Sequence, residues 1–160
     1  MPEMPAEGAA APKFTLPDQD GDDFSPADAK GEWLVLYFYP RADTPGCTTQ
    51  ACSVRDRSGE YADLDARVVG VSPDTVEDVK KFHDKFDLDF TLLADPDHAV
   101  AEKLGTWGEK SMYGNTYMGV LRSTYLIDPD GKVARTFPKI APKKHDPAVL
   151  KALAELTAGS

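Results

Sequence analysis

Trp33-Leu34-Val35-Leu36-Tyr37-Phe38-Tyr39-Pro40-Arg41-Ala42-Asp43-Thr44-Pro45-Gly46-Cys47-Thr48 is the stretch that decides the fold. Its first part, Trp33 to Tyr39, is a continuous apolar run that suits a central strand buried on both faces. Pro40 ends the run, because proline cannot donate to a strand ladder. Thr48 to Leu64 then carries a helical pattern, with Ala51, Val54 or Arg55, and Tyr61 or Leu64 near one face.

Downstream, Arg67 to Val71 is expected to be a second buried strand. A helix opens at Ser72-Pro73-Asp74-Thr75 and runs to about Phe86, with Val76, Val79, Phe82 and Phe86 on its apolar face. Phe90 to Leu93 is a short strand and Asp97 to Leu104 a short helix. Gly119 to Ile127 and Lys132 to Phe137 are strands around Asp128-Pro129-Asp130-Gly131, where proline presets φ and glycine supplies φ > 0. The last helix is expected to start at Asp146, an N-cap followed by Pro147, and to run to Leu156. Upstream, Phe14-Thr15-Leu16 and Phe24 flank Asp20-Gly21, a hairpin signal. The acidic residues around it do not make a calcium loop: the sixth position is Asp23 rather than glycine, and the twelfth is Ala29 rather than glutamate. Strand–helix alternation followed by an antiparallel hairpin and a helix implies an α/β chain. The sheet is mixed, helices cover both faces, and a β-hairpin extends the N-terminus. This is the element order of a thioredoxin-like fold.

The chain has 160 residues, the size of one domain. Residues 1–12, rich in proline, alanine and glutamate, are expected to be a flexible tail, and residues 13–160 a single domain. The tail has neither the positive nor the apolar region of a secretory signal. The formal net charge of −9 disfavours nucleic-acid and membrane-surface binding. No apolar stretch approaches the roughly 20 residues needed to span a bilayer. The expected location is cytoplasmic.

In a reducing compartment, a close cysteine pair points to catalysis or redox sensing rather than to a structural bridge. Two inert buried thiols are the plain alternative. Cys47 falls in or near the first turn of the helix. Unpaired amides and the positive end of the helix dipole favour a thiolate there. Pro40 and Pro45 stiffen the approach to it. Thr44 stands three residues earlier, where its hydroxyl is placed either to reach the sulfur or a bound oxygen, or to cap the helix. Cys52 stands five residues after Cys47. In an intact helix that spacing gives about 7.5 Å of rise and about 140° of rotation, hence a Cα separation of about 8.6 Å. A disulfide needs Cα atoms closer than about 7 Å. The two cysteines therefore cannot bond unless the first turns unwind.

Pro40-x-x-x-Thr44-x-x-Cys47 resembles the signature of the peroxiredoxins. With a second cysteine five residues on, the chain resembles the peroxiredoxin Q, or bacterioferritin comigratory protein, subgroup. Val69-Gly70-Val71-Ser72 and Arg122-Ser123-Thr124-Tyr125-Leu126-Ile127-Asp128 extend the resemblance over nearly the whole chain. It implies a thiol peroxidase acting on hydrogen peroxide and organic hydroperoxides. In that reading Cys47 is the peroxidatic cysteine, oxidised to sulfenic acid. Thr44 and the Cys47 amide bind the peroxide oxygens, and Pro40 packs over the site. Arg122 supplies a cation that cannot lose its proton, although by itself it is equally well a surface charge. Cys52 is the resolving cysteine, giving a Cys47–Cys52 disulfide that thioredoxin or a similar dithiol protein reduces. The resemblance also implies a monomer.

Two rivals share the scaffold. A thioredoxin-type disulfide oxidoreductase wants Cys-x-x-Cys at the helix start, and the spacing here is longer. A non-catalytic holdase would not need the Pro40, Thr44, Cys47 and Arg122 set. No metal or organic cofactor is implied. His83, His98 and His145 lie on separate elements and are expected to be surface or capping residues. Trp33 and Trp107 are core or pocket aromatics, and Phe38 and Tyr39 are expected to wall the sulfur.

Overall fold

A computed structural model describes residues 7–11, 13–42, 44–112, 114–137 and 142–158. The apolar run forms β3 (Trp33–Phe38) at the centre of a five-stranded sheet. On one side β3 pairs in parallel with β4 (Ala66–Ser72), which pairs in parallel with β5 (Thr91–Ala94). On the other side it pairs antiparallel with β8 (Ser123–Ile127), and β8 with β9 (Val133–Phe137). The sheet order is β5-β4-β3-β8-β9, the mixed sheet expected. The N-terminal extension is a small hairpin, β1 (Leu16–Pro17) with β2 (Asp23–Phe24). Asp18 closes it by accepting from the amides of Asp20 and Asp22.

The helices are α1 (Pro45–Asp56), α2 (Ser58–Asp63), α3 (Val76–Lys85), α4 (Ala99–Lys103) and α5 (Pro142–Ala158). Strand alternation divides the core into two layers. Val35, Tyr37 and Tyr39 face Ala51, Val54, Val79, Phe82, Val149 and Leu153 of α1, α3 and α5. Leu34, Leu36 and Phe38 face the other way, against Leu16, Phe24, Val100, Leu104 and Tyr125. Where Tyr37 crosses β4, a Cβ on Gly70 would lie 2.8 Å from the tyrosine ring. Glycine at that position lets the ring approach the neighbouring strand this closely.

Several expectations change. The helix expected over Thr48–Leu64 begins earlier, at Pro45, and breaks at Arg57 into α1 and α2. Ser58 and Gly59, both weak helix formers, follow that break. The strand expected over Gly119–Ile127 is two strands. Its first part belongs to β7 (Asn115–Val120), which pairs antiparallel with β6 (Trp107–Met112) as a separate hairpin that the periodicity did not reveal. The last helix starts at Pro142 rather than Asp146. Asp146 is buried and does not cap: its carboxylate accepts from Tyr61 on α2. Within the expected tail, residues 8–11 are tied to the chain leading into β9, by Gly8 N to Val133 O at 2.7 Å and Ala11 N to Gly131 O at 2.9 Å. Residues 1–6 and 12 lie outside the described residues.

Candidate active site

Cys47 is the third residue of α1, just past the carboxyl end of β3. The first helical hydrogen bond of this turn runs from Thr48 N to Thr44 O at 2.8 Å. The Cys47 amide precedes it, in the turn whose N–H groups have no partner within the helix. The side chain is 1% exposed. A buried sulfur needs a polar partner if it is to ionise.

Arg122 supplies that partner. It lies between the end of β7 and the start of β8, and its guanidinium spans two positions of α1. Nη2 donates to Cys47 Sγ at 3.2 Å, and Nη1 donates to Gln50 Oε1 at 2.6 Å. Gln50 is fully buried and one helical turn beyond Cys47. The sequence did not single it out, although its i,i+3 relation to Cys47 places both on one helix face. The permanently charged fork thus fixes the sulfur to an anchor on the same helix.

The Thr44 side chain neither reaches the sulfur nor caps the helix. It occupies the N-cap position with an extended backbone, but its hydroxyl donates to Arg41 O at 2.9 Å. The hydroxyl oxygen keeps lone pairs to accept from a ligand. Pro40 is half-buried between β3 and α1. Phe38 does not wall the sulfur, because strand alternation sends it to the opposite layer with Tyr125. Tyr37 and Tyr39 share the Cys47 cluster instead. Burial pushes both phenols well up, helped by charge on Tyr39 and Cys47 at Tyr37 and by charge on Asp74 and Cys47 at Tyr39, where Ser72 pulls the other way, so they stay neutral.

Cys52 is half-buried, and both thiols are free. α1 is continuous across the two positions, so the separation of about 8.6 Å set by helix geometry applies.

A buried polar cluster lies under the same helix. His145, expected as a surface or capping residue, is completely buried: its Nε2 is 2.9 Å from Thr124 Oγ1 on β8, and its ring packs 5.3 Å from that of Tyr37. Burial pushes the neighbouring Asp146 carboxyl up. The adjacent His145 and Ser53 side chains, the hydrogen bond from Tyr61 and the His145 charge outweigh that and leave it below its ordinary value. Ser53 lies on α1, directly after Cys52. His98 stacks flat on Trp107, with centroids 3.7 Å apart. Among the described residues, no three His, Cys, Asp or Glu side chains are grouped to hold a metal.

The chain matches the AhpC/TSA family over residues 8–136. The chain belongs to that family. It is 47% identical over 148 residues to peroxiredoxin Bcp of Escherichia coli K12, covering 92% of this chain and 95% of that protein. The solved bacterioferritin comigratory protein of Xanthomonas campestris, described for its alkyl peroxide reduction activity, superposes with a TM-score of 0.85 at 34% identity, covering 90% of this chain and 92% of that one. A peroxiredoxin Q structure from Xylella fastidiosa gives 0.89 at 28% identity, covering 97% and 98%. The family relation makes this chain a peroxiredoxin, a thiol-dependent peroxidase with a thioredoxin fold. It favours neither the disulfide-oxidoreductase nor the holdase alternative. A peroxide substrate and a thiol reductant follow from that activity.

Proposed function

We propose that Cys47 is the peroxidatic thiol and Cys52 the resolving one. The observation that carries this is the Arg122 fork on a buried sulfur in the first turn of α1. The Cys47 thiolate attacks the terminal oxygen of a hydroperoxide. An S–O bond forms, the O–O bond breaks, and the sulfur loses two electrons to the peroxide. The leaving alkoxide or hydroxide takes up a proton and departs as alcohol or water. Arg122 stabilises the charge passing between sulfur and oxygen. The Thr44 hydroxyl oxygen and the Cys47 amide hold the peroxide, and Pro40 covers it. The Cys52 thiol then attacks the sulfenic sulfur and expels water, leaving a Cys47–Cys52 disulfide.

That second step needs α1 to open. Both Arg122 contacts must be released, and the first turns unwound, before the sulfurs come within bonding distance. A dithiol protein such as thioredoxin then exchanges with the disulfide and restores both thiols. Hydrogen peroxide and organic hydroperoxides are the substrate class, a reading supported by the alkyl peroxide activity described for the Xanthomonas relative. Residues 13–160 work as one domain, as a cytoplasmic monomer, since both reacting thiols lie in one chain and no partner subunit is needed.

A thioredoxin-coupled assay with hydrogen peroxide and an alkyl hydroperoxide tests the reading. Wild type should turn over with both. Cys47→Ser should consume neither. Cys52→Ser should consume about one equivalent and stop. Full turnover in Cys52→Ser would assign resolution to another thiol, and activity in Cys47→Ser would overturn the central role of Cys47.

A further inference from the structure

The β6–β7 hairpin lies outside the main sheet and grips the segment that leads into Arg122. Alternation puts Gly108 and Lys110 on one face of β6 and Glu109 on the other. Glu109 is exposed, Gly108 buried and Lys110 half-buried. Three contacts hold residues 120 and 121. Leu121 N donates to Thr106 O at 2.6 Å. A Cβ on Gly108 would lie 3.2 Å from the Leu121 side chain. The Lys110 ammonium donates to Val120 O at 3.1 Å. Arg122 follows directly. The hairpin therefore carries a second, partly desolvated cation to the backbone beside Arg122.

Desolvating a lysine next to an arginine is unfavourable unless an anion faces them. The Lys110 ammonium responds to just these groups. Burial pushes it down, Arg122 pushes it further down, and Cys47 pulls it back up. Other groups near the sulfur do not supply the anion's counter-charge. Tyr37 of β3 and Tyr39 just after it are neutral, while Asp146 of α5 lies near the first phenol and Asp74 near the second.

Building on the assignment of Cys47 as the reacting thiol, we propose that Lys110 is a second cation of the site, positioned by the β6–β7 hairpin to stabilise the negative charge on Cys47 Sγ before attack. Arg122 binds the sulfur directly, and Lys110 acts across a longer distance through the low-dielectric pocket. It is a positioning residue for charge, not a ligand of the peroxide.

The test is the second-order rate constant for oxidation by hydrogen peroxide, followed from about pH 5 to pH 8.5 in wild type, Lys110→Met and Lys110→Arg. Removing a nearby cation disfavours the thiolate where protons compete for it. Lys110→Met should be slower by roughly 3- to 10-fold at the acid end, with the gap closing toward the alkaline end. Lys110→Arg should follow wild type. If Lys110→Met does not fold by far-UV circular dichroism, Lys110→Gln carries the same comparison. A Met or Gln profile superimposable on wild type overturns the proposal. So does a loss of equal factor at every pH, which would mark a packing role. Wild type that consumes no peroxide would sink the Cys47 assignment itself, a separate outcome from active wild type that is indifferent to Lys110.

Discussion

Gln50 shows how one buried side chain fixes the chemistry of another. Arg122 has to present Nη2 to the Cys47 sulfur, and its orientation is set by the bond from Nη1 to Gln50 Oε1. Gln50→Leu would leave a buried guanidinium N–H unpaired, a penalty of about 1–3 kcal/mol. Oxidation of Cys47 by peroxide should slow by about 10-fold, while Gln50→Glu, which keeps an acceptor, should lose less. Single-turnover oxidation of each variant measures this; a Leu variant as fast as wild type would show that Arg122 holds its place unaided. Cys47, Pro40 and Arg122 were legible in the sequence because their spacing and strand context carry a signature. Gln50 was not, since a lone glutamine in a helix looks like a solvated residue until Arg122 arrives from a distant strand. The Thr44 hydroxyl's own partner was not legible either: Arg41 O, a local acceptor in the preceding loop, takes its proton and leaves the oxygen's lone pairs.

Elements are tied together beneath α1 by Asp146. Its carboxylate accepts from Tyr61 on α2, and Ser53 on α1 lies beside it and helps to hold the carboxyl below its ordinary value. This cluster lies against the part of α1 beyond Cys52, while the turn carrying Cys47 is held by Arg122. The polar cluster therefore marks where unwinding should stop. Because the Asp146 carboxyl lies below its ordinary value when folded, its contribution is present above the ordinary aspartate range. It is lost as pH falls through the lowered value. Asp146→Asn should cost about 1–3 kcal/mol at neutral pH, and the deficit should shrink in acid. Urea midpoints of both proteins at about pH 7 and about pH 3 give the comparison; an equal deficit at both would mean that the ionised form is not what binds the helices. The strong periodic elements, β3, β4 and α3, were legible. The β6–β7 hairpin was not, because Trp107–Met112 is mostly polar or glycine and offers no alternating run. The true start of α5 was hidden because Asp146 and Pro147 imitate a helix opening. Asp146 is instead drawn into the core by partners on α1 and α2.

The whole molecule places a five-stranded sheet under the helix end that carries Cys47. β3 is covered on both faces, and its carboxyl end delivers the chain into α1, where open α/β sheets present ligand sites. Strand–helix order was enough to infer this architecture, since few sheet topologies accommodate it. What the order could not show is that Arg122 enters the site from the junction between two separate sheets, with β6–β7 steering it. The protein with free thiols holds Cys47 by a helix and an arginine fork, and the proposed Cys47–Cys52 disulfide would require it to give up both. Amide hydrogen exchange across residues 45–56, compared between the reduced protein and the Cys47–Cys52 disulfide form, measures that exchange of states most directly. Protection of α1 is expected in the reduced protein, with its loss over the turns from Cys47 to Cys52 on oxidation and residues beyond Ser53 still protected. A disulfide-bonded protein whose α1 amides stay as protected as in the reduced form would contradict it.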